Sequence, residues 1–453
     1  MSAASVQSLV LLLLALGTGG WGMLVARRWP GAATVGYLTV LMLVPAWLVL
    51  PLGPVVPLPM IQVVGLALIV AMFGMDTVRP TVFDVVLLGF AVLLVFVGVF
   101  GLVDANSLYW LLMWWVLPYL VARTLAARGQ VATVYDTVTV LVVVVAVLAV
   151  VESVMNYNFF VDHLGVGSDW ERLQYRGGRV RVEGAFGHSI ALGAVLGMSV
   201  PLVWASRWRP WFRVLALALV GVATMLTFSR IGMLTMMLAL AASFVLLRTQ
   251  MPARVRWTVL GVGAVVALVL VPTVMRVFDD ASDEVTGTAD YRVFLLSLVP
   301  KLAVFGEATS PTVYLDSIDN ELVLTGVRFG LMPLAFLLLC AFVGVVLAVR
   351  RRPNPGLVAV MVMLPGLTSV AFITQFTAFF WFAVGIGVST LTAGQDGTGQ
   401  AAAAPTDAAG EAAAEDVGEP VAAAHVGARD GRRRVGTARP GRAVPTDRAG
   451  PGR

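Results

Sequence analysis

Long apolar runs separated by short polar loops make up most of the chain. A membrane-spanning helix needs about 20 mostly apolar residues, and such runs recur along the sequence. They lie at roughly 6–25, 33–50, 55–75, 82–102, 107–125, 131–153, 186–206, 211–228, 230–248, 256–274 and 322–349. A further stretch, 357–391, is too long for one span, and Gly366 or Thr374-Gln375 is expected to split it. The pattern predicts an all-α integral membrane protein with about 12 transmembrane helices.

Three longer polar stretches interrupt this pattern. Two of them, at about 155–186 and 275–321, are predicted to be long loops on one side of the membrane. The third, 392–453, is rich in Ala, Gly, Pro, Asp and Arg and has too little apolar content to build a core, which predicts a disordered tail. The predicted organisation is therefore a membrane domain, 1–391, followed by that tail.

The distribution of arginine predicts the orientation. The loops that follow the odd-numbered spans carry arginines. Among the loops that follow the even-numbered spans, arginines are few except in the two long loops. The basic loops hold Arg27-Arg28, Arg79, Arg123 and Arg128, Arg207, Arg209 and Arg213, Arg248, Arg254 and Arg256, and Arg350 to Arg352. Basic loops stay in the cytoplasm. Both long loops are therefore predicted to be extracytoplasmic and the tail cytoplasmic, in the cytoplasmic membrane.

Composition agrees with a membrane protein. The chain is 59% hydrophobic and 13% charged, with a mean hydropathy of +0.89, which excludes a soluble globular protein. A net charge of +5 is compatible with nucleic-acid binding, but the arginines lie in short loops between apolar runs, so no nucleic-acid partner is expected. Cys340 is the single cysteine, which excludes a disulfide within the chain.

Arginines on the predicted outer side indicate an anionic partner. Arg179, Arg181, Arg230 and Arg292 all lie there, although the topology rule disfavours them. A guanidinium group binds phosphate through two parallel hydrogen bonds. Salt bridges to acidic residues of the same loops are the alternative for any one of them.

Other polar residues are candidates for the same face. Arg328 lies inside an apolar run, where it either pairs with Glu321, seven residues earlier, or contacts a ligand. His188 stands at the start of a span, where capping the helix is the alternative to binding substrate. No acids or histidines have metal-ligand spacing, and no glycine-rich phosphate loop follows a strand pattern, so no metal or other cofactor is predicted.

An ordered set of short motifs resembles the O-antigen ligase and O-antigen polymerase superfamily. The motifs span about 150 residues and are Arg181-x-x-Gly184-x-Phe186-x-His188, Thr227-Phe-Ser-Arg230-x-Gly232, Arg292, Gly306 and Asp319-Asn320-x9-Gly330-x-x-Pro333. In the ligases a histidine stands where this chain has Asp319, and a glycine where it has Pro333.

The resemblance implies a metal-independent glycosyltransferase that moves a glycan from a polyprenyl-diphosphate carrier to an acceptor sugar hydroxyl. Arginines then hold the diphosphate, with Arg230 and Arg292 as catalytic residues. Asp319 is the first candidate for the general base and Glu183 the second, and Asn320 orients the acceptor or the base. The implied partners are the lipid-linked glycan, a glycan or glycolipid acceptor and membrane lipids.

Three alternatives remain open at this point. A transporter or flippase for a lipid-linked glycan predicts charged residues near the middle of several helices. A catalytically inactive scaffold of a polysaccharide-assembly complex is compatible with the absence of the ligase histidine. Polymerase-like synthases such as peptidoglycan elongases share the multi-helix layout.

Overall fold

The computed structural model describes residues 25–51, 57–72, 78–164, 173–176, 178–280, 291, 293–308, 318–350 and 354–393. The α-helices are α1 (Pro30–Leu43), α2 (Met60–Met72), α3 (Val82–Val99), α4 (Ala105–Trp110), α5 (Leu117–Ala127), α6 (Val131–Met155), α7 (Phe159–Leu164), α8 (Ser189–Ala205), α9 (Pro210–Leu226), α10 (Arg230–Leu246), α11 (Ala253–Asp280), α12 (Glu321–Phe329), α13 (Leu331–Arg350), α14 (Pro355–Met363) and α15 (Thr374–Ala393). A π-helical turn, Leu111–Val116, joins α4 to α5. Short 3-10 turns lie at Gly184–Phe186, Arg248–Gln250, Val299–Lys301 and Leu364–Thr368.

Strands are confined to two small antiparallel hairpins. Strand β1 (Val49–Pro51) pairs with β2 (Pro57–Pro59), and β3 (Tyr175–Arg176) pairs with β4 (Arg179–Val180). The predicted all-α class is thus confirmed, with two short hairpins added between helices.

Five helices in the described part of the chain are long and apolar enough to cross a membrane. They are Val82–Val99, Ala105–Ala127, Val131–Met155, Leu331–Arg350 and Thr374–Leu391. Shorter apolar helices accompany them at Pro30–Leu43, Met60–Met72, Ser189–Ala205, Pro210–Leu226, Arg230–Leu246 and Pro355–Thr368. By length and composition these helices are consistent with a helical membrane protein, while the predicted total of about 12 spans stays a prediction.

Several boundaries differ from those expected from the sequence. The run 322–349 is two helices, because Gly330 adopts a φ of +96° that a side chain rarely tolerates. A Cβ added there would lie 2.8 Å from the carbonyl oxygen of Val304. The stretch 357–391 divides as anticipated, with extended residues between α14 and α15. The predicted span 33–50 ends at Leu43, and the chain continues into β1.

Two predicted segments lie almost entirely outside the described residues. These are the first predicted span, 6–25, and the predicted disordered tail, 392–453, of which residues 392 and 393 are described as the end of α15. The chain divides into two units, Met1–Gly399 and Gln400–Arg453, and the second lies entirely in that tail.

Successive helices connect two chemically different ends of the bundle. At the arginine end, Arg123 bonds Asp84 and Ser389, Arg207 bonds Asp136, and Arg213 bonds the carbonyl oxygen of Trp204. At the opposite end, called the loop end below, the polar loops meet. It is formed by residues 44, 102, 156–164, 174–176, 178–189, 226–230, 302–308, 318–321 and 368–375. Among the described residues, several of the predicted basic loops thus lie at one end and polar loops at the other, while the full loop topology and its orientation in a membrane stay predictions.

Helix α8 lies at the centre of the bundle. Almost all of its side chains are buried, and it packs against α6, α9, α10, α14 and α15. Gly193 of α8 and Gly232 of α10 touch, since a Cβ added to Gly232 would lie 2.8 Å from the Cα of Gly193. This close approach places the first turn of α10 against the first turn of α8 and brings two of the sequence motifs side by side.

Candidate functional site

The hairpin β3–β4 carries the first group of predicted site residues to the loop end. Arg179 is exposed on β4, whereas Arg181, two residues later, is only 9% exposed. The Arg181 guanidinium donates from Nε to the carbonyl oxygen of Thr227 (3.3 Å) and from Nη1 to Oε1 of Gln174 (3.2 Å). Arg181 thus joins the hairpin to the motif that begins at Thr227, while Arg179 stays available to a ligand.

Glu183 lies behind the hairpin and is fully buried. Its Oε1 accepts a hydrogen bond from the main-chain N–H of Gln174 (2.8 Å), and its Oε2 has no partner among the described residues. Burial, reinforced by the nearby Glu152 carboxylate, raises the pKa of Glu183 to about 8, against the opposing effects of the Gln174 N–H and Arg181. Glu183 is therefore a neutral acid at pH 7 that supports the loop and does not reach the surface.

Glu152, in the last turn of α6, holds the same loop from below. Its Oε1 accepts from the N–H of Glu183 (3.0 Å) and from Nδ2 of Asn158 (3.0 Å), and its Oε2 accepts from the N–H of Gly184 (2.9 Å). Glu152 was not among the residues that the sequence singled out. Its position at the end of an apolar run, just before a polar loop, was the signal for this role.

His188 caps α8, the local role that the sequence offered as an alternative to substrate binding. Its Nδ1 accepts from the N–H of Ile190 (3.2 Å), which requires an unprotonated Nδ1. Burial, together with the positive charge of Arg181, lowers the pKa of His188 to about 4. His188 is consequently neutral at pH 7, with its Nδ1 committed to the helix.

Arg230 is the first residue of α10 and is exposed. The preceding turn is tight: Phe228 has a φ of +48°, and Ser229 caps the helix by accepting from the N–H of Gly232 (3.1 Å). Arg176 Nη1 donates to the carbonyl oxygen of Phe228 (2.9 Å). A cavity of about 340 Å³ lies between the hairpin, the end of α9 with this turn, the end of α6 and Val274 of α11. Arg179, Asn156 and Ser153 are in its lining.

Asp319 and Asn320 introduce α12. The Asn320 Oδ1 caps the helix by accepting from the N–H of Val323 (3.1 Å), and its Nδ2 donates to the carbonyl oxygen of Thr368 (2.8 Å). Asp319 is exposed, and its N–H donates to the hydroxyl of Tyr291 (3.2 Å). Partial burial raises the pKa of the Asp319 carboxyl above its ordinary value. A surface carboxylate with a raised pKa is a better general base than a free aspartate.

The extended segment between α14 and α15 connects these groups. The Phe372 N–H donates to Oε2 of Glu321 (2.6 Å), next to Asp319 and Asn320. Three residues later, Gln375 Nε2 donates to the carbonyl oxygens of Ala185 (3.0 Å) and Val44 (2.7 Å). Gln375 was singled out only as a possible helix break, and no local pattern shows that it touches a residue 190 positions away.

Arg328 lies in the last turn of α12, outside the long apolar helix in which the sequence placed it. Its guanidinium carbon lies 5.2 Å from the centre of the Trp110 ring, and its charge interacts with Glu307 and with Glu321. Whether Arg328 pairs with Glu321 or contacts a ligand stays a prediction. Arg292 lies outside the described residues, although its neighbour Tyr291 reaches Asp319.

An apolar groove of about 360 Å³ runs between α13 and the rest of the bundle. Its lining comes from α3, α5, α12, α13, α14, α15 and the turns beside them. At the loop end it is bordered by Glu321, Thr325 and Thr368, and at the other end by Val388 and Leu391. The groove thus extends from the residues beside Asp319 and Asn320 toward the arginine end.

Comparisons of the chain with the models of known protein families, with curated proteins and with solved structures find no match.

Proposed function

We propose that this protein transfers a glycan from a polyprenyl-diphosphate carrier to a sugar hydroxyl of an acceptor, as part of surface-polysaccharide assembly. The observation that carries the proposal is the hydrogen bond from Arg181 to Thr227, which joins two of the motifs resembling the O-antigen ligase and polymerase superfamily. The Asp319-Asn320 motif lies at the same end of the bundle, connected to them through Phe372 and Gln375.

In this proposal the arginines act on the leaving group. The acceptor oxygen attacks the anomeric carbon, and the bond from that carbon to the diphosphate oxygen breaks, so the polyprenyl diphosphate leaves with the electron pair. Arg179 and Arg230, both exposed, bind this diphosphate together with Arg292, and Arg181 positions the hairpin that carries Arg179. Prearranged positive charge stabilises the transition state more than the ground state because negative charge grows during the step.

Asp319 takes the proton of the acceptor hydroxyl. It is the exposed one of the two predicted bases, whereas Glu183 is fully buried and bonded to the main chain of Gln174. Glu183 is accordingly assigned to positioning. Asn320 holds the start of α12 against Thr368 and so orients the neighbouring Asp319.

The topology proposed with this function keeps the arginine end in the cytoplasm, with about 12 spans and a cytoplasmic tail. The loop end then faces outward, where lipid-linked glycans are assembled into surface polymers.

A transporter is the alternative from another class, and it predicts charged residues near the middle of the helices. Asp84 and Arg123 form a buried ion pair at the arginine end, and Glu152 lies in the last turn of α6. Because these charged residues lie near helix ends and not near the middle of the helices, they favour an enzyme with its site on one face over a transporter.

The test is to delete the gene in the native host and to size the lipid-linked and released glycans. A polymerase predicts accumulation of single repeat units, and a ligase predicts accumulation of long carrier-linked chains. Unchanged glycans would overturn both.

Complementation with variants separates an enzyme from an inactive scaffold. Arg230→Ala and Asp319→Asn are each expected to lower product formation by about 100-fold or more. Arg207→Ala, an exposed arginine at the arginine end, is the matched control and is expected to restore the normal profile. Full restoration by the two site variants would instead favour a scaffold.

A further inference from the structure

The apolar groove beside α13 differs in charge from the segments that carry Arg179 and Arg230. Among the described residues that line it, Glu321 is the one with a charged side chain, and no lysine or arginine contributes. Helix α13, which forms one wall, is largely exposed on its other side. A long hydrocarbon chain therefore has both space and an apolar surface there, whereas the arginines Arg179 and Arg230 belong to other segments of the loop end.

Glu321 defines the chemistry of the groove mouth. It is 4% exposed, its Oε2 accepts from the N–H of Phe372, and its Oε1 accepts from the hydroxyl of Thr325 (3.1 Å). Burial raises the pKa of Glu321 to about 7, so its carboxylate form predominates above that pH. In that form the side chain accepts hydrogen bonds and repels other anions. The preferred neighbour at this position is a hydroxyl donor, and a phosphate group is disfavoured.

Trp381 adds a second polar group to the groove wall. Its ring stacks on Trp115, with centroids 5.1 Å apart, and the side chain is only 7% exposed. Its Nε1 has no hydrogen-bond partner among the described residues. A buried N–H without a partner is costly, so an occupant that brings an oxygen atom to this wall would be stabilised.

We infer that the groove binds the hydrocarbon chain of a lipid-anchored glycan acceptor whose uncharged, hydroxyl-bearing headgroup meets Glu321. The inference rests on the proposed transferase function and adds to it a separate place for each substrate. The anionic donor belongs with the arginines, and the hydroxyl-bearing acceptor belongs with Glu321. A sugar hydroxyl both donates and accepts hydrogen bonds and so matches Glu321 and Trp381, whereas a diphosphate is repelled by Glu321. Asp319, two residues before Glu321, is then beside the acceptor.

Cys340 gives a direct readout because it lines the groove and is the only cysteine in the sequence. The full chain is reconstituted in phosphatidylcholine nanodiscs at pH 8, above the pKa of Glu321. Its modification by N-ethylmaleimide is followed by intact-protein mass spectrometry. A long-chain alkyl glucoside at ten times its dissociation constant is expected to slow modification by about tenfold. An alkyl phosphate with the same chain is expected to leave the rate unchanged.

Glu321→Gln tests the source of this selectivity. Glutamine keeps the size of the side chain and an acceptor for the Phe372 N–H but removes the charge. The alkyl phosphate is expected to protect Cys340 in this variant as the glucoside does in the wild type. Equal protection by both lipids in the wild type, or protection by neither, would overturn the inference.

Two tryptophan substitutions test the location of binding with tritiated alkyl glucoside. A Cβ at Gly344 meets nothing within 4 Å, and Gly344 lines the groove, so Gly344→Trp is expected to fill it and abolish binding. Gly261→Trp, equally unobstructed but on α11, is expected to bind normally. Equal binding by the two variants would refute the location. This assay measures binding alone, so it can fail independently of the proposed function. If the glucoside does not bind but the deletion strain has altered glycans, only the groove inference is refuted. If the glucoside binds but the glycans are unchanged, only the proposed transferase function is refuted.

Discussion

The main-chain N–H of Glu183 donates a hydrogen bond of 3.0 Å to the side-chain carboxylate of Glu152. The same carboxylate accepts from the N–H of Gly184 and from the side chain of Asn158. One residue at the end of α6 therefore satisfies three donors in the loop that carries Arg181. Because α6 packs against the central helix α8, the loop is positioned by the helical bundle and not only by its own short hairpin.

Glu152→Ala is expected to loosen this loop. The substitution leaves the buried N–H groups of Glu183 and Gly184 without partners, and each such group costs about 1–3 kcal/mol. The unfolding temperature in detergent should fall, and trypsin should cleave faster after Arg176 or Arg179.

Asp136→Ala is the matched control for that prediction, since Asp136 accepts from Arg207 at the opposite, more exposed end. Its loss should cost at most about 1 kcal/mol and leave cleavage of the hairpin unchanged. Similar effects of the two substitutions would show that Glu152 has no special part in holding the loop.

The pH dependence of stability should reveal the buried acid Glu183. Its folded-state pKa of about 8 lies above its ordinary value of 4.5, so the folded state binds more protons between these two values. Its stabilising effect is complete below pH 4.5 and is lost as the pH rises through 8. Glu183→Gln mimics the protonated acid, so the unfolding temperature of this variant should decline less between pH 6 and pH 9 than that of the wild type.

His188 provides an internal control for that measurement. Its pKa of about 4 in the folded state lies below the ordinary value of 6.5, so its contribution is present above 6.5 and is lost as the pH falls toward 4. This acid-side decline should be the same in the wild type and in Glu183→Gln. Parallel curves over the alkaline range would contradict the assignment of Glu183 as a neutral buried acid.

Gly232→Ala is expected to separate two helices. The new Cβ would lie 2.8 Å from the Cα of Gly193, and backbone atoms cannot rotate away as a flexible side chain can. Overpacking of this kind costs about 1–3 kcal/mol, and it would also shift Arg230 relative to Arg181, so both the unfolding temperature and glycan transfer should fall.

Gly89→Ala serves as the comparison because a Cβ there meets nothing within 4 Å. Alanine has the higher helix propensity, so this variant should be as stable as the wild type or more stable by up to about 1 kcal/mol. A loss of stability in Gly89→Ala equal to that in Gly232→Ala would indicate a general intolerance of substitution and not a helix contact.

Local features were well predicted from the sequence where a residue type strongly prefers one local structure, such as a helix cap or a helix break. The capping role of His188, offered as one alternative, is what the structure shows, and the division of 357–391 falls between α14 and α15 as expected. The break at Gly330 was not predicted, because it follows from the approach of Val304 and Phe305, residues outside the helix. Glu183 was the second candidate for the general base, and only the packing of α6 beneath it shows that it is buried.

By itself the sequence predicted a helical membrane protein with basic loops at one end and long polar loops at the other. The structure confirms the helical class and the presence of helices long and apolar enough to cross a membrane. The length of an apolar run and the position of an arginine are properties of the local sequence, so they can be recognised without knowledge of the tertiary structure. Only the tertiary structure decided which polar groups meet, because Glu152 with Glu183, and Ala185 with Gln375, are contacts between distant parts of the chain. The apolar groove ending at Glu321 is likewise a gap between helices, and such a gap depends on packing that no single segment encodes.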